Sequence, residues 1–206
     1  DFGLIEHGIY SSLRPDEGYS LDDNARALQL ALRLPSTDPL VKKLPLYFNF
    51  VVRAQTPRGF HNDFDGGTWH DDDLPNEHFG RAMAAIAETA ATAPNAKICQ
   101  KAAQIFADKI PFIPQIKSLR AQAQLLVALS FEPAHHIKII QFLADKLVES
   151  YQNSSSDSWH WFEDQITYDN CRLPIGLLCA YRVTNQKTYL KTALSALDFF
   201  LNLISR

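Results

Sequence analysis

Gly18-Tyr-Ser-Leu-Asp-Asp-Asn-Ala-Arg-Ala-Leu28 decides how the rest of this chain is read. A flexible approach over residues 14–18 ends in an aromatic, Tyr19. Ser20 follows, then Asp22, Asp23 and Asn24, then an apolar helical pattern through Ala25, Leu28, Ala31 and Leu32. Ser20 with Asp23 three residues on is a capping box with Asp in the place of Glu. Carboxylates in a first helical turn also face the positive end of the helix dipole. A cap explains one of these groups. Two carboxylates, an amide, Arg26 and an aromatic exceed what a cap requires, so the same stretch is a candidate site.

Outward from it, the composition is that of an ordinary globular protein. The chain has 206 residues, 46% apolar and 21% charged, which suits one domain. Net charge is −3 with no basic run, which argues against nucleic acid and anionic membranes as partners. Every apolar stretch stops short of the ~20 residues that span a bilayer. No signal peptide is visible, and a start at Asp1 fits either a removed leader or a fragment. Cys99, Cys171 and Cys179 form no CxxC, which suits reduced core cysteines in a cytoplasmic protein. Neither a zinc motif nor a cofactor fingerprint is found.

Strand patterns are scarce and helical periodicity dominates. It predicts eight helices: 20–34, 39–54 with a kink at Pro45, 77–92, 95–110, 118–130, 133–151, 169–182 (or from 170) and 186–204. Two long loops, 55–76 and 152–168, interrupt them, and loops of that length are usually functional or disordered. The odd-numbered helices share a degenerate start, with Arg26, Arg81, Arg120 and Arg172 each leading into Ala- and Leu-rich sequence. That is a repeat of helical hairpins, each burying its apolar face on its neighbours. The even-numbered helices carry the charges, among them Lys97, Lys101, Lys109, Lys138, Lys146 and Lys191. The odd ones are nearly uncharged and read as buried. An inner layer of odd helices inside an outer layer of even ones is an all-α, α/α-toroid arrangement.

Parallel inner helices would bring their N-termini to one rim. Tyr19, Asp22, Asp23 and Asn24 would then meet Glu77 and His78, and Tyr168, Asp169 and Asn170. The long loops would deliver His61 and Trp69, then Trp159, His160, Trp161, Glu163 and Asp164. Aromatic rings beside acids and amides suit a sugar, whose apolar face stacks while its hydroxyls are bonded.

On these residues the sequence resembles the six-hairpin, α/α-toroid glycosidase-like proteins. It is most similar to a bacterial group that reads Gly-Tyr-x-x-Asp-Asp-Asn-Ala-Arg-Ala-Leu near its start and Trp-His-Trp-Phe-Glu-Asp-x-x-x-Tyr-Asp-Asn later. Here these are residues 18–28 and 159–170, with a partial third match over 77–84. The resemblance covers essentially the whole chain. It implies a carbohydrate-active domain of a kind often associated with glycosyltransferases. Four hairpins are counted here against six in the family, so the last third is expected to be absent, and the open ring edge would favour self-association.

The resulting expectation is a glycoside hydrolase. Glu163 or Asp164 would be the acid and Asp22 or Asp23 the base, separated by ~5 to ~9.5 Å. Tyr19, Asn24, His61, Trp69, Glu77, His78, Trp159, His160, Trp161, Tyr168 and Asp169 would contact the substrate. Asn24 and Arg26 also read as supports for the acids, since buried charges need partners. Asp169 also reads as a plain cap. The alternatives are a sugar epimerase using His7, His70 or His160, and a non-catalytic glycan-binding domain. The acidic run through Asp63, Asp65 and residues 71–73 could attract calcium but lacks the EF-hand pattern and reads as solvated.

Overall fold

The computed structural model describes residues 2–70 and 76–205. Among them are eight α-helices and five strands of two or three residues. Where length alone suggests one domain, the contacts gather into two compact units, Asp1–Ile116 and Lys117–Arg206.

In the first unit, a small antiparallel hairpin of β1 (Gly8–Ile9) and β2 (Ser12–Leu13) precedes β3 (Tyr19–Ser20) and α1 (Leu21–Arg33). The Ser20 hydroxyl accepts from the Asp23 N–H at 3.2 Å and donates to the Asp23 carboxylate at 3.0 Å, which completes the capping box. A 3₁₀ turn, Pro39–Lys43, capped by Asp38, leads into α2 (Leu44–Arg53). The single helix expected over 39–54 is divided just before Pro45, which lies in the first turn of α2, where its missing N–H has no helical acceptor to lose.

The loop over 55–76 contains structure that the sequence reading overlooks. β4 (Asp63–Asp65) and β5 (Thr68–Trp69) form a hairpin, and β4 pairs antiparallel with β3. Gly66 and Gly67 make its two-residue turn with φ of 54° and 87°. Positive φ at both central positions matches the twist of a tight hairpin and suits glycine. The loop then enters α3 (Glu77–Thr92), which is followed by α4 (Ala96–Lys109) with Asn95 as its cap.

α3 is the centre of this unit. Every residue from Phe79 to Thr89 is buried, and the helix packs on both α1 and α4. Each large apolar side chain so enclosed contributes roughly 1.5–3 kcal/mol. α1 and α3 run parallel: Asp22 meets Arg81 near both starts, and Arg33 meets Glu88 several turns on. Buried Glu88 takes two bonds from Arg33 at 2.7 Å and one from Gln29 at 2.8 Å. One charge expected on the outside is inside: Lys109 is buried, with its ammonium on the Thr56 carbonyl and over the Phe60 ring. The other charges named on α4, Lys97 and Lys101, are exposed.

The second unit repeats the plan. α5 (Leu119–Leu129), capped by Ser118, packs on α6 (Ile137–Ser154) and α7 (Arg172–Thr184), and α7 packs on α8 (Lys187–Ile204). α5 and α7 also run parallel, since Gly176 lies on Ala123 and Cys179 bonds Ser130. A Cβ on Gly176 would meet the Ala123 Cα at 2.9 Å, so only glycine permits this approach. α6 and α8 expose Lys138, Lys146, Lys187 and Lys191. Two helix starts fall later than expected. A 3₁₀ turn, Pro133–His135, precedes α6. Asp169 has φ of 44°, a left-handed conformation that holds α7 back to Arg172, so it is not the cap.

The protein is therefore mostly helical, with pairs of hairpins joined within each unit through their odd-numbered helices. No helix among the described residues is long and apolar enough to cross a membrane. The three cysteines are free. Cys171 is exposed, which departs from the core position expected of it, and Cys99 and Cys179 are partly buried.

Candidate functional site

At the start of α1, the two aspartates face different partners. Asp22 lies against α3, where Arg81 bonds its Oδ2, and Arg81 also donates to Glu77 Oε1 at 2.7 Å. One buried guanidinium thus holds two carboxyl groups. Asp22 Oδ1 is buried and accepts no hydrogen bond from the described residues. Burial pushes the Asp22 pKa above the ordinary aspartate value, although Arg81 and Arg26 pull it down. Asp23 bonds within its own helix start, with one oxygen on Ser20 and the other on Arg26 at 3.1 Å, and its side chain is about as exposed as that of Asp22. Glu6 lies in the same negative field, and desolvation together with Asp23, Asp63 and Asp22 raises its pKa.

Asn24 is fully buried and bonds only the chain itself. Its Oδ1 accepts from the Leu4 N–H at 2.7 Å, and its amide donates to the Leu4 carbonyl at 3.1 Å and the Ser20 carbonyl at 2.8 Å. It ties the N-terminal segment to α1 and offers nothing to a substrate. Tyr19 packs edge-on to Phe2 at 5.4 Å, beside Phe50 and Phe64. Trp69 stacks on His61 at 5.5 Å and meets Phe50 and Phe64 edge-on. These rings form a small aromatic core under the β3–β4–β5 sheet, so Tyr19 and Trp69 anchor the hairpin. His78 bonds the Phe60 carbonyl at 2.9 Å.

In the second unit, Arg120 is the hub. It grips both oxygens of Glu163 at 2.8 Å, donates to the Tyr168 carbonyl at 2.7 Å and to the Thr167 hydroxyl, and lies 4.6 Å over the Tyr168 ring. A bidentate guanidinium–carboxylate fork of this kind is strong and directional. Asp169 takes a bond from Gln124 at 3.2 Å and lies 3.7 Å from Arg172. Asp164 is exposed and bonds no other described residue.

The three loop tryptophans divide. Trp161 is fully buried against Phe162 and Phe200, so it is a core residue and not a sugar platform. Trp159 donates its indole N–H to the Glu163 carbonyl at 2.7 Å and meets the Phe199 edge at 5.0 Å while keeping partial exposure. His160 lies 6.0 Å from the same Phe199 ring.

The repeated arginines now have a common role. Arg26 holds Asp23, Arg81 holds Glu77 and Asp22, Arg120 holds Glu163, and Arg172 lies beside Asp169. For three of these contacts the signal was in the sequence: Asp23–Arg26, Glu77–Arg81 and Asp169–Arg172 place an arginine three or four residues after an acid, whereas Arg120–Glu163 and Arg81–Asp22 join distant segments and carried no local signal. Glu6 and the α8 residues beside Trp159 were missed because nothing in their own segments marks them.

Of the histidines considered for proton transfer, His7 lies near Glu6 and Glu17, and His70 bonds Thr68 and the Asp65 carbonyl. His160 packs on Phe199. None of the three meets another. Among the described residues, no group of three or more His, Cys, Asp or Glu side chains is placed to hold a metal ion. The aspartates at 71–73 lie outside the described residues. No protein-family model, no curated protein and no solved structure matches this chain.

Proposed function

We propose that this chain is a carbohydrate-active protein of the six-hairpin, α/α-toroid glycosidase-like kind, and that it hydrolyses glycosides with Asp22 as the proton donor. The observation that carries this reading is the state of Asp22. It shares Arg81 with Glu77, one of its oxygens is buried without a partner among the described residues, and desolvation raises its pKa. A carboxyl group whose surroundings favour the protonated form is what a general acid requires. Asp23, its neighbour on α1, is the carboxylate that activates water. This differs from the roles expected from sequence, where Glu163 or Asp164 stood as acid and Asp22 or Asp23 as base. Glu163 drops out as acid, because Arg120 occupies both of its oxygens. The parallel packing of odd-numbered helices within each unit also supports the hairpin-ring reading.

The test uses leaving groups. A general acid matters for a poor leaving group and little for a dinitrophenolate. Asp22→Asn should lose roughly 100-fold or more on simple alkyl glycosides and keep most of its rate on dinitrophenyl glycosides. Equal loss on both substrates, or none on either, removes Asp22 from the role. Failure of the parent to cleave any glycoside defeats the hydrolase.

One observation favours a second reading. Four of the candidate acids besides Asp22 (Asp23, Glu77, Glu163 and Asp169) already bond or face an arginine, which suits a glycan-binding domain without turnover. Saccharide binding by the parent that Asp22→Asn leaves intact, with no cleavage, would select it.

A further inference from the structure

We propose that the second unit binds a neutral sugar ring in a cavity between the segment over 158–160 and α8. This rests on the carbohydrate reading above and adds to it a place and a ligand class. The cavity measures about 450 Å³, within the usual range of small-ligand sites. Trp159, His160 and Phe199 supply its rings, and Ser158, Asp198 and Asn202 stand around them.

Three features carry the inference. The first is unspent hydrogen-bonding capacity. The side chains of Ser158, His160, Asp198 and Asn202 bond no other described residue, whereas the acids Asp22, Asp23, Glu77, Glu163 and Asp169 are engaged. A hydroxyl, an imidazole, a carboxylate and an amide together offer both donors and acceptors, which matches hydroxyls that are both. The second is rigidity. Asp198 and Asn202 are one turn apart on α8 and share a face, as do Ser195 and Phe199. Tyr151 fixes Ser195 at 2.8 Å, and Trp159 is fixed by its bond to the Glu163 carbonyl. The third is charge. Among the described residues no lysine or arginine lines the cavity and one carboxylate does, so it disfavours sugar acids and sugar phosphates. The rings meet edge-on, so a pyranose lays its apolar face on one of them while its hydroxyls reach Asp198 and Asn202.

The experiment titrates the whole chain with methyl glucoside, methyl mannoside, methyl galactoside and glucuronate, read by saturation-transfer NMR and tryptophan fluorescence. Asp198 and Asn202 are exposed, so Asp198→Ala and Asn202→Ala should keep the parent's circular dichroism and melting temperature. At least one neutral glycoside should bind, either variant should weaken it roughly tenfold, and glucuronate should bind less tightly. Unchanged affinity in both variants, or glucuronate binding as tightly as the neutral sugars, overturns the proposal. If no glycoside binds the parent, this site and the carbohydrate reading fall together. If a glycoside binds and only Asp22→Asn weakens it, this site alone falls. If Asn202→Ala abolishes binding and the parent cleaves nothing, this site stands and the hydrolase fails.

Discussion

Arg81 in the first unit and Arg120 in the second are both buried, both lie near the start of a buried helix, and both hold carboxyl groups. Their surroundings separate them. Arg120 meets one carboxylate with a full fork and spends its remaining donors on the Tyr168 carbonyl and the Thr167 hydroxyl. Every oxygen of Glu163 is matched. Arg81 is divided between two carboxyl groups, and the far oxygen of Asp22 is left buried and unbonded among the described residues. A buried arginine therefore makes a closed fork with one carboxylate in one unit and a shared contact with two carboxyl groups in the other, where burial raises the pKa of Asp22. What sets Asp22 apart is burial, which raises its pKa further than the shared guanidinium lowers it.

The largest effect should follow from breaking the closed fork. Arg120→Met leaves Glu163 without its partner and frees the Thr167–Tyr168 segment that Arg120 gathers. Removing one member of a buried ion pair costs about 3–5 kcal/mol, and the partial exposure of Glu163 places this case near about 3 kcal/mol. Urea unfolding followed by tryptophan emission measures it, with Trp159 and Trp161 reporting on this unit. A loss under about 1 kcal/mol would make the fork an ordinary surface pair.

Next comes Asn24, a polar residue used as a fastener in the first unit. Asn24→Leu removes three internal hydrogen bonds and leaves the Leu4 N–H without its acceptor. A buried orphaned donor costs about 1–3 kcal/mol; this bond is part-buried and Leu4 is 42% exposed, so a loss of about 1 kcal/mol is expected, with faster amide exchange at Leu4. Retained protection at Leu4 would show that the N-terminal segment is held by its aromatic contacts instead.

Asn24 also shows why the sequence could be read only so far. The helices were legible because their caps and periodicity are local: Ser20, Asn95 and Ser118 cap as their types suggest. The buried character of α3 and α5 followed from their lack of charge. The β4–β5 hairpin was visible in Asp65-Gly-Gly-Thr68 but hidden by the shortness of its strands. The site was less legible, because residue type does not say where a polar side chain spends its bonds. Asn24 and Trp161 look like ligand contacts by composition and are interior by packing. Lys109 looks solvated by type and is buried on a carbonyl. Asp22 and Asp23 are neighbours in sequence with opposite surroundings, which only the partner helix decides.

That contrast gives a pH prediction. A carboxyl group with a raised folded-state pKa binds its proton more tightly folded than unfolded. Its contribution is then neutral below the ordinary aspartate value of 3.8 and becomes a penalty as pH rises through the folded value. The parent should lose stability over that window, and Asp22→Asn should lose less. Glu6 acts in the same direction, so Glu6→Gln separates its share. Identical slopes for the parent and Asp22→Asn between pH 4 and pH 7, measured by urea midpoints in one buffer series, would put Asp22 among the ordinary paired acids.

The smallest effect belongs to the exposed member of the arginine series. Arg26 bonds Asp23 at 3.1 Å across one helical turn, and its side chain is 54% exposed. Water already solvates both charges, and holding two long side chains in register costs entropy. Such pairs contribute about 0–1 kcal/mol. Arg26→Ala should therefore change the urea midpoint little, and added salt should shrink the difference further. The comparison with Arg120→Met is the point: one motif residue, one kind of partner, and a several-fold gap set by burial. If Arg26→Ala instead cost as much as Arg120→Met, exposure would not be the deciding variable. Asp23 would then need its arginine for the fold, and could not be the carboxylate left available to a water molecule.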